Sequence, residues 1–539
     1  MTSVRSVAWH GLGLALASAT IALAAACSGG DSAADAKADG AVGEAGDSSD
    51  GGGSSDAASD ARRFDDGGPP APADAKLLVG GDTFLVGVTS DGNAVYIASA
   101  DGDGPLRMIP LAGGAPVVLA PSVHFEHVLV KGKAVAFWTD VIGNPLQGTF
   151  NVWTAAAGLK SNLGFTLANK AIFSEDGTRV AVPVNMRPLA EPPAMDLAVT
   201  DVASASVAAV ITDMNLTDNG DYVPACTPQY TFVGRRLYVS HCTSVRQSTA
   251  ILQSVSDTGA VTTVIDNAAS PTSSTILASF SLDAAGEKAF VLGTDGTGRI
   301  TTVATGESVT VDTNVRQGFI APNGTYALYV KESPAPLPDF PNVFSLRRTP
   351  TAAPDTRLLA DDIATVLAVN SDLSGVMFSV NEMSGDLRTN ISFVDTTRDP
   401  ATAVPLATMS AGRPIGFSGM GRHALYLTDL PGDGELIGKL KVYDSMAGAA
   451  VPPRVVSATA MAPVALSPGT KGLYCDNVRL AKAVGDRDYC DLMAFDMATT
   501  AAPTLLVGSA DPFFFATSTQ VAFVISTGAS KGLYVKNVP

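Results

Sequence analysis

Apolar and polar positions alternate along most of this chain in short runs, and the runs come in pairs. An apolar segment of four to six residues leads into a Ser/Asp/Asn/Gly turn and out into a second apolar segment rich in Val, Ile, Tyr and Phe. The clearest copies are VTSDGNAVYI at Val88, FSEDGTRVAV at Phe173, SLDAAGEKAFVL at Ser281, IAPNGTYALYV at Ile320 and VNSDLSGVMFSV at Val369. Weaker copies begin at Val130, Phe232, Phe417, Leu466 and Ala516. Asp-Gly and Asn-Gly supply the positive φ that a tight hairpin needs, and β-branched and aromatic residues suit a pleated surface, so each copy predicts a β-hairpin.

Two further short strands follow each hairpin, as in PLRMIPL then APVVLA. The repeat is then a four-stranded meander of about 46 residues, the size of a propeller blade. Numbering the copies in order gives units 1 to 10 over residues 76–539, and the expected fold is all-β, a β-propeller of about ten blades. The Ser-x-Asp-Gly turns before apolar strands resemble the WD40-like repeats of TolB-type propellers. SEDGTRVAV and APNGTYALYV match that signature well, whereas units 2, 4 and 10 lack its Asp-Gly core. The resemblance implies an architecture and a non-catalytic binding role; it names no activity.

The two ends of the array read as complementary. The last copy runs ATSTQVAFVI and GLYVKNV and stops after a third strand, while Lys76-Leu77-Leu78-Val79-Gly80 reads like Thr504-Leu505-Leu506-Val507-Gly508, the fourth strand of unit 9. Pairing the termini would remove two exposed sheet edges. A single closed ring is the expected outcome, with two smaller rings, one inserted into the other, as the alternative.

Residues 1–75 have a different character. Arg5, the apolar run Gly11 to Leu23 and Ala24-Ala25-Ala26-Cys27 resemble the signal of bacterial lipoproteins, with Ala24 where that family usually has leucine. The resemblance implies cleavage after residue 26, a lipid on Cys27 and, with Ser28 following, an outer-membrane address in the cell envelope. Residues 28–75 hold eleven acidic side chains against Lys37, Arg62 and Arg63, with Phe64 the only aromatic. Such a stretch buries too little apolar surface to offset chain entropy and reads as an extended linker over 27–75.

Charge and chemistry narrow the function. The chain carries a formal −17 with no basic patch, which argues against nucleic acid. Besides Cys27 there are Cys226, Cys242, Cys475 and Cys490, which in an oxidising envelope predict two local disulfides, Cys226 to Cys242 and Cys475 to Cys490. No metal-ligand spacing occurs. Asp101 and Asp103 form an acidic turn that offers calcium at most a weak site. His124, Glu126 and His127 suggest a cluster, but continued strand geometry would turn His127 to the opposite face. Gly416-Phe417-Ser418-Gly419-Met420 lacks the second glycine of a nucleophile elbow and lies on a hairpin. No catalytic residue is therefore assigned.

The long connections are 185–195, 213–225, 331–342, 428–438 and 476–489, all expected at one end of the strands. That pattern predicts a loop-rich face for a protein or peptide partner, with Asp213, Asp218, Asp221, Asp433 and Glu435 as acidic contacts. The alternative is a propeller enzyme, a polysaccharide lyase or glycosidase, with carboxylates converging at the central funnel.

Overall fold

In the computed structural model the described residues are 74–539, except 144–145, 188–193, 216–227, 245–248, 267–276, 294, 334–342, 381–389, 408–412, 420, 431–436, 448–450, 467 and 480–487. The signal, Cys27 and nearly all of the linker lie outside them. The described part is nearly all β: strands fill seven antiparallel sheets, and the one helical element is the 3-10 turn Phe125–His127. Among the described residues no helix is long and apolar enough to cross a membrane.

Unit 1 shows the basic pattern. Phe84–Val88, Asn93–Ile97, Asp103–Pro110 and Val117–His124 lie side by side in chain order. Its hairpin turn closes with the Gly92 amide on the Thr89 carbonyl at 2.9 Å, and Gly92 takes φ 82°, the left-handed backbone that the Asp-Gly pair anticipates. Units 4 and 5 repeat the four-stranded order as separate sheets.

Elsewhere the units are less separate than four-strand repeats suggest. Arg357–Val369 is one long strand that closes unit 6 and opens unit 7 within a seven-stranded sheet, and Arg454–Ala465 does the same for units 8 and 9. Units 2 and 3 share a nine-stranded sheet through the short bridging strand Phe165–Leu167. The shared strands turn at a single left-handed residue, Asp362 at φ 56° and Ala462 at φ 47°. The backbone swings from the outer edge of one meander to the inner edge of the next without a loop.

The apolar residues face the neighbouring unit on both sides of each sheet. Between units 1 and 2, Val95, Ile97 and Leu106 pack with Val135 and Phe137; between units 8 and 9, Leu425, Leu427 and Leu440 pack with Tyr474 and Phe495. A cluster of this kind fills every seam between consecutive units. It also fills the seam between last and first, where Leu85, Ala94 and Tyr96 meet Ala522, Val524 and Leu533. This is propeller-type packing, in which each sheet covers its neighbour.

Polar straps cross the same seams. The Arg179 guanidinium of unit 3 donates to the Arg235 carbonyl of unit 4 at 2.6 Å, and Lys288 of unit 5 donates to the Gly324 carbonyl and Thr351 hydroxyl of unit 6 at 3.2 and 2.8 Å. Arg348 and Arg357 of unit 6 both reach the Thr396 carbonyl of unit 7 at 2.7 Å, and Lys76 reaches the Ala112 carbonyl of unit 1. A carbonyl at a turn has a spare lone pair, and a long cationic side chain can reach it without breaking the ladder.

The termini meet as their sequences imply. Lys76–Gly80 runs antiparallel to Gly532–Asn537, with Leu77 opposite Tyr534 and Gly80 opposite Gly532. The approach is so close that a Cβ on Gly532 would lie 2.4 Å from the Val79 carbonyl oxygen. Deleting Lys76–Gly80 should therefore lower the unfolding free energy measured in urea by far more than the roughly 0.5 kcal/mol of an ordinary surface change. Gly532→Val, which keeps every strand but forces the pair apart, should cost about 1–3 kcal/mol in the same measurement. Unfolding curves unchanged by either alteration would contradict the pairing.

Candidate binding face

The second-to-third strand connections leave from one end of the units, and the backbone before them shares a device. Ala134–Ile142, Arg179–Arg187 and Lys471–Arg479 are each nine residues long, and each pairing with the third strand is interrupted near its far end. At those interruptions stand Asp140, Asn185 and Asn477, all with φ between 48° and 53°; Asp429, just past His423–Thr428, takes φ 58°. Asp and Asn tolerate the left-handed conformation better than other side chains, and a bulge bends and re-aims the hairpin beyond it. A recurring Asx bulge thus sets the direction of the connections in units 2, 3 and 9, while in unit 8 Asp429 turns the chain just past the strand end.

Carboxylates beside these bulges hold the hairpins together. Asp196 accepts from Asn185 Nδ2 at 2.9 Å and from Arg187 Nη2 at 2.8 Å, and Asp491 accepts from Asn477 Nδ2 at 2.9 Å. Asp476 accepts from the Ser457 and Thr459 hydroxyls at 3.2 and 2.7 Å, and Asp429 pairs with Lys439 at 2.8 Å. At the same end, in the seam of units 5 and 6, Asp312 takes the Tyr329 hydroxyl at 3.0 Å and the Lys331 ammonium. Burial works to raise the Asp312 carboxyl, but Lys331, the Thr313 amide and Tyr329 together hold it below the usual carboxylate range. Burial, with the Asp312 charge adding to it, pushes the Tyr329 phenol up to about 12. Nothing in the sequence marks this network, because Asp312 and Lys331 belong to different repeats.

Of the acidic contacts anticipated on this face, Asp218, Asp221, Asp433 and Glu435 lie outside the described residues, as does the side chain of Asp213 on the strand Ser206–Asn215. Cys226 and the side chain of Cys242 lie outside them too. Cys475 and Cys490 are bonded, with Cα atoms 5.4 Å apart. They are not directly opposite: Cys475 faces Leu492, so the bond runs diagonally across the sheet. Nor does Cys475 end its strand, which continues to Arg479 and carries the hairpin beyond the staple. Both sulfurs are buried in the seam with Phe523 and Tyr534 of unit 10.

The histidine reading needs correction. Val117–His124 does not continue as a strand; the chain coils into the turn Phe125–His127, and the His124 and His127 rings end 5.6 Å apart instead of on opposite faces. Phe125 drives the coil by packing on Phe84 at 4.7 Å, with its amide bonded to the Gly102 carbonyl at 2.8 Å. Burial and then the neighbouring His124 hold His127 below the ordinary histidine range. Asp103 lies opposite His124 in the ladder, and Asp101 takes the Ser99 hydroxyl. Among the described residues no group of three or more His, Cys, Asp or Glu side chains is placed to hold a metal. Ser418 sits in a hairpin turn as its sequence context implies: its amide donates to the His423 carbonyl at 2.8 Å, and its buried hydroxyl accepts the His423 amide at 3.2 Å.

No family model matches the chain, and no curated protein matches it. Solved structures similar to it include a eukaryotic initiation factor at 11% identity, covering 72% of this chain and 91% of that one with a TM-score of 0.44. A putative TolB from Agrobacterium tumefaciens is 12% identical, covering 52% and 94%, with a TM-score of 0.26. An oligogalacturonate lyase in complex with manganese is 11% identical, covering 69% and 98%, with a TM-score of 0.33. Likenesses at this level leave function to be argued from the chain's own side chains.

The Cys475–Cys490 bond closes a separation of 15 residues. Replacing both cysteines by alanine should cost about 3 kcal/mol in urea unfolding. Peptide mapping without reduction should recover Cys475 with Cys490 and Cys226 with Cys242; free thiols, or links between units 4 and 9, would contradict the assignment.

Proposed function

We propose that this chain is a lipid-anchored envelope protein whose closed ring of ten blades presents its connection-rich face to a protein or peptide partner. The supporting observation is how five described carboxylates near that face are used. Asp196, Asp429, Asp476, Asp491 and Asp312 are each tied to an amide, hydroxyl or cation that holds a hairpin or a seam. General acid–base or nucleophilic chemistry needs groups free to meet a substrate, and each of these five is engaged by a partner within the scaffold. What the scaffold contributes is a shaped surface, re-aimed by the Asx bulges and stapled in unit 9.

The ring itself is supported by the seams. A core joins each unit to the next and unit 10 to unit 1, an adjacency that one ring satisfies; two nested rings would require non-consecutive units to share a seam. The anchor and linker rest on the sequence: residues 1–26 as a signal, Cys27 as the acylated residue and 27–75 as an acidic spacer carrying the ring away from the outer membrane. Asp213, Asp218, Asp221, Asp433 and Glu435 favour a partner with a basic patch, so association should weaken as salt rises.

Cys27→Ser should move the protein from the membrane to the soluble fraction of cells, and retention at the membrane would contradict the anchor. Capture by membrane co-purification should be lost when the connections at 428–438 and 476–489 are shortened together, with unfolding curves preserved. Turnover of a polysaccharide or peptide panel by the intact protein, abolished by a carboxylate-to-amide change at the funnel, would make it an enzyme instead.

A further inference from the structure

His423 is a titratable group that none of the contacts on the connection-rich face uses. It opens the second strand of unit 8, His423–Thr428, at the hairpin-turn end, and its side chain is 2% exposed. Neither ring nitrogen has a hydrogen-bond partner among the described residues. In four of the ten units the first residue of the second strand works as a strap to the next unit. In units 3, 5, 6 and 9 it is Arg179, Lys288, Tyr326 and Lys471, which donate to the carbonyls of Arg235, Gly324, Asp372 and Pro539. Unit 8 puts an imidazole in that position with no such bond.

The charges around it are already committed. Asp444, opposite His423 on the third strand, is gripped by Arg422 at 2.9 and 2.6 Å and accepts the Met446 amide at 2.9 Å. From the other side, Arg454 on the outer strand of unit 8 donates to the Asp496 carbonyl of unit 9 at 2.7 Å, and the Asp496 carboxylate accepts the Ala498 amide at 2.8 Å. A neutral imidazole can sit unpartnered in such a seam at modest cost. Protonation there adds a positive charge and turns the second nitrogen from acceptor to donor, leaving two N–H groups with no hydrogen-bond acceptor, beside Arg422 and Arg454.

We propose that His423 makes the seam between units 8 and 9 acid-sensitive: taking up a proton there loosens the strap layer of this seam while the other seams hold. Burial keeps the ring below the ordinary histidine range, against the upward pull of Asp444 and Asp496, with Arg422 and Arg454 adding to the depression. The sign follows from linkage. The unfolded chain protonates this residue near about pH 6.5, whereas the folded chain resists until lower pH. Its contribution is therefore complete above about pH 6.5 and is lost as pH falls from there toward the depressed folded value.

Amide hydrogen exchange on the whole chain, compared at about pH 7.5 and about pH 5.5 after correction for intrinsic rates, reads this directly. Peptides covering 423–428, 454–465 and 489–496 should lose protection by about tenfold relative to 288–293 in unit 5. His423→Gln and His423→Phe should hold that protection at both pH values, and His127→Gln, which removes a half-buried histidine also held below its ordinary range, should leave the response intact. If His423→Phe fails to fold, His423→Gln decides. The same acid response in the Gln variant, or protection lost evenly across all units, would overturn the proposal.

Discussion

Every sheet in this protein is apolar on both faces, and among the described residues no α-helix is present to cover either one. A four-stranded meander cannot bury both faces alone, so each must be roofed by another meander. That demand propagates along the chain: unit 2 covers one face of unit 1, unit 3 covers unit 2, and the sequence of seams ends with unit 10 facing unit 1. The closing strand Lys76–Gly80 matters because it supplies the outer edge of the unit on which this last seam depends. The straps from Arg179, Lys288, Arg348 and Lys76 then tie turn carbonyls across seams that apolar packing has already formed.

Much of this was legible from local signals. The Asp-Gly and Asn-Gly turns are read by φ, which is a property of one or two residues, and the hairpins fall where those turns stand. The pairing of the termini was legible because Lys76–Gly80 and Thr504–Gly508 share a pattern, and strand position in a repeat is inherited from pattern. Features that arise between units were not. The shared strands Arg357–Val369 and Arg454–Ala465 depend on Asp362 and Ala462 adopting left-handed backbone, and alanine carries no local signal for that. The coil at Phe125–His127 likewise depends on Phe84, some forty residues earlier in the chain, receiving the Phe125 ring. A strand-face argument over four residues could not see that contact.

The same distinction governs the candidate face. Loop length and acidity could be read from the sequence, but the bulges that aim the connections could not, since Asp140, Asn185 and Asn477 look like ordinary polar residues near strand ends. Their partners explain why polar residues gather there. Asn185 with Asp196 and Asn477 with Asp491 are the same solution in two units, an Asx bulge bonded to a carboxylate on the neighbouring strand. The described polar residues at this end therefore include several that hold the scaffold together.

The central claim is that consecutive packing closes into one ring. Electron cryo-microscopy of the purified protein tests it most directly, because views along the axis separate the possibilities by shape. The account predicts a single closed ring of ten four-stranded units with the first and last in contact. Two smaller rings, or a crescent with a gap between units 10 and 1, would contradict it.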